Sequence, residues 1–215
     1  MRNVPTAVVF VHGLFMNGAE FALLRRRLAA AHGFQAHRFS YPTVRGSMAG
    51  TLEQLGKFVA AIDAERIHFV GHSLGGVVLC RYFERGNCAR TGRVVLLGSP
   101  LVGSRSARAV ARHAWLRRVV GPLVAEELLD DCAPRTWGCG HELGIVAGTR
   151  PMGLGRFFAH FEEDSDGTVA VSETKLPGHT AHVTLPVSHM GMLASAGVAT
   201  QVGEFLARGA FIEVR

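Results

Sequence analysis

"FVGHSLGGVV", residues 69–78, is the stretch on which the reading of this chain turns. An apolar run that reads as a buried strand meets His72 and Ser73, then two glycines, then a second apolar run with helical spacing. The core of it, Gly71-His72-Ser73-Leu74-Gly75, fits the pattern G-x-S-x-G between a predicted strand and a predicted helix. A turn that tight forces the serine into a strained backbone conformation. Side chains at the flanking positions would strike the strand and the helix, so glycine is required there. The turn lifts the Ser73 hydroxyl clear of a sheet. It also leaves the Leu74 N–H at a helix N-terminus, where a developing oxyanion can be held.

Outward from this point the chain alternates. "TAVVFVHG" (6–13), "QAHRFSYP" (35–42), "RIHFVGHS" (66–73), "RVVLLGSP" (93–100), "ELGIVAG" (142–148) and "HTAHVTLPVSH" (179–189) read as strands or contain one. Helical periodicity fills about 19–31, 47–63, 74–86 and 191–209. Strands that are apolar along their length, separated by helices, predict a parallel sheet covered on both faces. The fold class is therefore α/β, with about six mostly parallel strands in a single domain over residues 1–215. The stretch 104–130 departs from the alternation. It reads as an inserted helical segment broken at Gly121-Pro122, a lid or cover whose Trp115, Leu116, Val119, Val120, Leu123 and Val124 are candidate acyl-chain contacts. A plain crossover helix buried in the core has the same pattern.

A serine hydroxyl is a weak nucleophile near neutral pH. It needs a base, and the base needs an orienting carboxylate. After Ser73 the chain offers an acidic turn, "EEDSDGTVAV" (162–171), and later "LPVSHMGML" (185–193) with His189 between a strand and the last helix. At this point the chain resembles the alpha/beta-hydrolase superfamily, in its compact lipase and esterase-like form. "VVFVHGL", "GHSLGG", "LLGSPLVGS", "DSDGTVAVSE" and "SHMGML" resemble that family's first strand and oxyanion loop, nucleophile elbow, following segment, acid loop and histidine loop. The resemblance runs from about Thr6 to Leu206.

It implies a sheet in the spatial order 2-1-3-4-5-6 and a triad of Ser73 as nucleophile, Asp166 as acid and His189 as base. It also implies an oxyanion hole of the Leu74 and Leu14 N–H groups, with Phe15 as the alternative to Leu14. Asp166 is preferred to Asp164 because it precedes Gly167 in the family-like "DGTV". One departure stands out. Many lipases have a His after the "GSP" proline, where this chain has Leu101.

The expected reaction is hydrolysis of a small-molecule carboxylic ester, one with an apolar acyl group, through an acyl-enzyme. Thioester, amide or acyl-transfer chemistry on the same triad, and a non-catalytic binding protein of the same fold, are the alternatives. No metal or organic cofactor is expected. The acidic run at 162–166 lacks the regular ligand alternation of a known calcium loop. His12 is expected to brace its loop, His179 and His182 to point away from Ser73, and His141 to lie at the far end of the sheet.

The remaining features bound the setting. The chain carries 23 Lys and Arg against 17 Asp and Glu, a net charge of +6. Those basic residues are scattered and have no aromatic platform, so a nucleic-acid partner is not expected. Cys80, Cys88, Cys132 and Cys139 lack metal-ligand spacing. Cys80 reads as a buried thiol, and Cys132 and Cys139 could close a small loop in an oxidising compartment. The N-terminus has no secretory signal pattern and no apolar run is long enough to span a bilayer. A cytoplasmic location without integral membrane association is the expectation.

Overall fold

The computed structural model of the chain describes residues 6–86, 90–105, 108, 121–129, 135–152 and 163–213. Six strands form one parallel sheet: β1 (Ala7–Val11), β2 (Gln35–Phe39), β3 (Ile67–His72), β4 (Thr91–Leu97), β5 (Leu143–Gly148) and β6 (Ala181–Leu185). Their spatial order is β2-β1-β3-β4-β5-β6, with every neighbouring pair parallel. This is the order expected from the resemblance. Among the described residues, four helices of two turns or more pack against the sheet: α1 (Ala22–His32), α2 (Met48–Ala60), α3 (Leu74–Glu84) and α4 (Ala196–Arg208).

The two-residue period of a strand divides the core into two layers. Ala7, Val9 and Val11 join the cluster of α2 and α3, with Leu52, Leu55, Val77 and Val78. Val8 and Phe10 point the other way, into Leu24, Leu28, Val202 and Phe205 of α1 and α4. β1, β3 and β5 are buried along their whole length, while the edge strands β2 and β6 are largely open. That difference explains why the central strands read as unbroken apolar runs. The helices start and stop on local signals. Ser47 caps α2 by accepting the Gly50 N–H, Ser195 caps α4 by accepting the Val198 N–H, and left-handed Gly33 and Gly209 end α1 and α4.

The segment that interrupts the alternation is described only in part. Residues 121–124 are helical and continue into a short π-helical turn, Ala125–Leu129. Leu123 and Val124 are buried and belong to the α2–α3 core cluster, so these two candidate acyl contacts are core side chains. Trp115, Leu116, Val119 and Val120 lie outside the described residues. The segment is anchored by a buried ion network. Glu127 Oε2 accepts from Arg135 Nη2 (2.6 Å) and from Arg81 Nε of α3 (2.8 Å), and Arg135 Nη1 donates to the Leu101 carbonyl (3.1 Å). Cys80 is a buried free thiol, pushed up to about 12 by burial. Cys139 is also free, while Cys88 and Cys132 lie outside the described residues. Among the described residues no helix is long and apolar enough to cross a membrane.

Two histidines, buried His68 and half-buried His182, make stability depend on pH. In β3, His68 Nδ1 accepts the Arg93 N–H (2.7 Å), and burial, with nearby Arg93 adding to it, pushes the imidazole down from 6.5 to about 4. His182 of β6 is likewise pushed down to about 4, chiefly by burial. With native values below the unfolded one, the unfolded chain binds more protons between these limits. Stability is therefore full above about pH 6.5 and is lost as pH falls toward 4. The urea midpoint should fall steadily over that window, and His68→Asn, which keeps an acceptor but does not titrate, should flatten the fall. A midpoint unchanged from pH 7 to 4 would contradict this.

Candidate active site

The serine turn joins β3 to α3. Ser73 has φ 54 and ψ −123, outside the ordinary regions for an L-residue, and its N–H donates to the Leu97 carbonyl (2.9 Å). The glycines around it are sterically required. A Cβ on Gly71 would lie 2.8 Å from the Gly76 backbone, and one on Gly75 would lie 2.6 Å from the His12 carbonyl oxygen. A Cβ on Gly76 would lie 2.6 Å from Ser99 Cβ, so that glycine sets the close approach of α3 to the end of β4. Gly75→Ala should therefore remove activity and lower the melting temperature by several degrees, because the clashing partners, the Val11 and His12 carbonyls, are backbone. A variant with unchanged melting and turnover would show that the turn tolerates a side chain.

Asp166 and His189 come to the same edge of the sheet from the loops around β6. Asp166 is 1% exposed. Its Oδ1 accepts the Thr168 and Val169 N–H groups (2.8 Å each), and its Oδ2 accepts from His189 Nδ1 (2.7 Å). A Cβ on Gly98 would lie 2.8 Å from Asp166 Oδ2, and one on Gly148 would lie 2.7 Å from Asp166 Cβ. The carboxylate thus sits over the carboxyl ends of β4 and β5. The His189 N–H donates to the Asp166 carbonyl (2.9 Å), so main chain and ring are tied to the same residue. With Nδ1 bonded to the carboxylate, Nε2 is the nitrogen left to accept a proton. The His189 ring lies 4.7 Å, centroid to centroid, from that of His72, the residue before Ser73.

Asp164 is exposed, and its main-chain carbonyl accepts the Val171 N–H. Glu163 is engaged by Arg105 (2.7 Å) and by the Ser172 hydroxyl (2.9 Å). Glu162 lies outside the described residues. The structure therefore brings Asp166, and not its described acidic neighbours, to the histidine.

The loop after β1 lies against the serine turn. A Cβ on Gly13 would lie 3.0 Å from Ser73 Cβ. His12 braces this loop, as expected. Its Nδ1 bonds the Gly13 carbonyl (3.0 Å), its Nε2 accepts the Tyr41 N–H (3.2 Å), and its own carbonyl accepts the Tyr41 hydroxyl (2.8 Å). Burial pushes the His12 imidazole below its usual value. The Phe15 N–H donates to Thr43 Oγ1 (3.2 Å), which occupies that donor. Among the described residues, the Leu14 and Leu74 N–H groups have no protein acceptor. Phe15 has φ 60. It and Ser73 are the two non-glycine residues with positive φ among those described, so backbone strain is concentrated at this edge.

His182, His179 and His141 make their contacts away from Ser73, as expected, whereas His68 and His72 in β3 are buried and not surface residues. His182 Nε2 bonds Thr174 Oγ1 (2.9 Å), His179 Nδ1 bonds the Leu176 carbonyl (2.6 Å), and His141 precedes the amino end of β5. Leu101, at the departure from the lipase pattern, is fully buried, and its N–H donates to the Glu173 carbonyl (2.8 Å).

Sequence reasoning missed Thr43 and Glu173. The buried Glu173 carboxylate accepts the Arg105 and Ala170 N–H groups (2.6 and 3.0 Å), linking the acid loop to the segment after β4. Burial pushes its pKa up. The bonds of Thr43 to Phe15 and of Glu173 to Arg105 reach main chain distant in sequence, and no local pattern signals them.

A parallel sheet with a strained serine turn at a carboxyl edge, and a buried carboxylate–imidazole pair beside it, defines a class of α/β hydrolase architecture. The chain belongs to the alpha/beta hydrolase family, whose model matches residues 8–194. Solved structures share the fold. The mature lipase BlEst2 of Bacillus licheniformis superposes with a TM-score of 0.71 at 18% identity, over 96% of this chain and 92% of that one. Phospholipase PlaB of Legionella pneumophila gives 0.68 at 16% identity, over 92% of this chain and 57% of that one. A pyrethroid hydrolase of Sphingobium faniae gives 0.62 at 15% identity, over 94% and 98%. No curated protein matches the chain by sequence.

Proposed function

We propose that the chain is a single-domain serine hydrolase that cleaves carboxylic esters through an acyl-enzyme, with Ser73, His189 and Asp166 as its triad. The observation that carries this reading is the buried Asp166–His189 pair (2.7 Å) beside the strained Ser73 turn. Ser73 Oγ attacks the ester carbonyl as His189 Nε2 takes its proton. The Leu74 and Leu14 N–H groups hold the oxyanion that forms. Collapse expels the alcohol, which takes the proton from His189 and leaves the acyl group on Ser73. Water then attacks the acyl-enzyme with His189 again as base, releasing the acid and restoring the serine. The chemistry is complete with these side chains and water.

An apolar acyl group is favoured by the rim of the site. Phe15, Val102, Met152 and Met190 are exposed large apolar side chains that follow the carboxyl ends of β1, β4, β5 and β6. We also infer a cover role for part of 104–130. A Cβ on Gly121 would strike the backbone of Val44, beside the Thr43 that holds Phe15, so the segment reaches the loop next to the proposed oxyanion donors.

Matched nitrophenyl oxygen esters of graded acyl length, compared with the corresponding thioesters, test the reading. Turnover of the oxygen esters, with a preference that changes with acyl length, is expected. Selective turnover of thioesters would move the activity to thioester hydrolysis, and turnover of neither would favour a binding protein.

A further inference from the structure

His72 presents a puzzle of burial. Its ring is fully buried at the last position of β3, flanked by the edge of Phe21 (6.4 Å between centroids) and by the His189 ring. A polar ring in such a place costs stability that an apolar side chain of similar size would not. Its one hydrogen bond runs from Nε2 to the carbonyl of His189 (3.0 Å), across 117 positions of sequence. Since that carbonyl can only accept, Nε2 carries the proton and Nδ1 holds a lone pair. Nδ1 has no hydrogen-bond partner. A Cβ on Gly13 would lie 3.4 Å from it, so the lone pair lies against the proposed oxyanion loop.

The bond from Nε2 completes the fixing of His189. The His189 N–H and ring Nδ1 are held by Asp166, and its carbonyl is held by His72. Asp166 alone anchors one side of the residue. His72 adds the second side, and it does so from the residue covalently bonded to Ser73. The side chain is rooted in β3, whose His72 pairs with Leu97 of β4, so the anchor belongs to the rigid sheet. Burial keeps His72 neutral, so its single N–H is the one committed to this bond.

We propose that His72 is a positioning residue, a clasp that ties the histidine loop to the serine turn and so sets the His189 ring against Ser73. The proposal rests on the triad reading above. It predicts an effect on the chemical step and little on substrate binding, because the clasp touches the base's main chain and not the substrate.

Three variants separate this role from simple packing. In His72→Gln the side-chain amide nitrogen reaches about where Nε2 stands. In His72→Asn it reaches only to the Nδ1 position, and in His72→Phe the ring stays but the donor is lost. With nitrophenyl butyrate, His72→Phe and His72→Asn should lower kcat about tenfold with KM within twofold of wild type, while His72→Gln should keep at least a third of wild-type kcat. The second-order rate of labelling by a fluorophosphonate should follow the same order. If the Phe variant does not fold, the Gln and Asn pair carries the comparison. All folded variants within twofold of wild type, or Gln as impaired as Asn, would overturn the clasp. Ser73→Ala runs alongside. An inactive Ser73→Ala with unimpaired His72 variants sinks the clasp alone, whereas a fully active Ser73→Ala overturns the triad and the clasp together.

Discussion

Replacing Ser73 by alanine should lower kcat by three or more orders of magnitude, with KM changed little and the fold intact. The side chain makes no capping hydrogen bond to the helix it precedes, and alanine differs from serine by the oxygen alone. The turn's strain is in the backbone, at φ 54, so removing the hydroxyl does not relieve it. On the proposed triad the loss is one of nucleophile and not of structure. Steady-state kinetics beside a thermal melt checks this. His189→Ala should be similarly damaging, and the double variant should lose little more than either single one, because nucleophile and base act as a unit. Losses that multiply in the double variant would show that the two residues do not share a step.

The second large effect lies in the acid loop, where Asp166→Asn should lower kcat on the order of a thousandfold and Asp164→Asn less than threefold. The reason is tautomeric. In the native loop Oδ1 accepts two N–H groups and Oδ2 accepts from His189 Nδ1. Asparagine keeps its carbonyl oxygen on the two N–H donors, which turns its NH2 group toward His189. Nδ1 must then accept, the ring proton moves to Nε2, and the nitrogen that should take the Ser73 proton is already protonated. Asp164 is exposed, and the described bond it makes in this loop uses its main-chain carbonyl, which asparagine retains. A large loss at 164 with none at 166 would move the acid by two residues.

Much of this architecture is legible in the amino-acid sequence, for a physical reason. β1, β3, β4 and β5 are central or nearly so, and burial on both faces writes them as apolar runs. The glycines of the serine turn were legible because a Cβ at Gly71, Gly75 or Gly76 meets neighbouring atoms at contact-forbidden distance. Asp166 was distinguishable among its neighbours through the Asp-Gly step, and burial then separates it from exposed Asp164. Leu123 and Val124 were ambiguous, since a helical apolar stripe has the same pattern whether it faces a substrate or a core. Here they face the core. The bonds of His72 to His189, Thr43 to Phe15 and Glu173 to Arg105 left no trace in local sequence. Each joins loops brought together only when the strands register.

The order of the sheet explains why these loops meet. β3 lies between β1 and β4, so the serine turn has the loop after β1 on one side and the end of β4 on the other. Asp166 spans the ends of β4 and β5, and His189 follows β6 and folds back over both. The strained residues, the buried carboxylate and its imidazole partner are thus gathered at one edge. The rest of the fold supplies a rigid base for them.

The most direct test of the account is mass mapping of the wild-type protein after reaction with an active-serine fluorophosphonate. The account predicts one adduct, on Ser73, whose formation abolishes ester hydrolysis in proportion to labelling. Hydrolysis that persists with Ser73 fully labelled, or an adduct that inactivates the protein from any other residue, would contradict it.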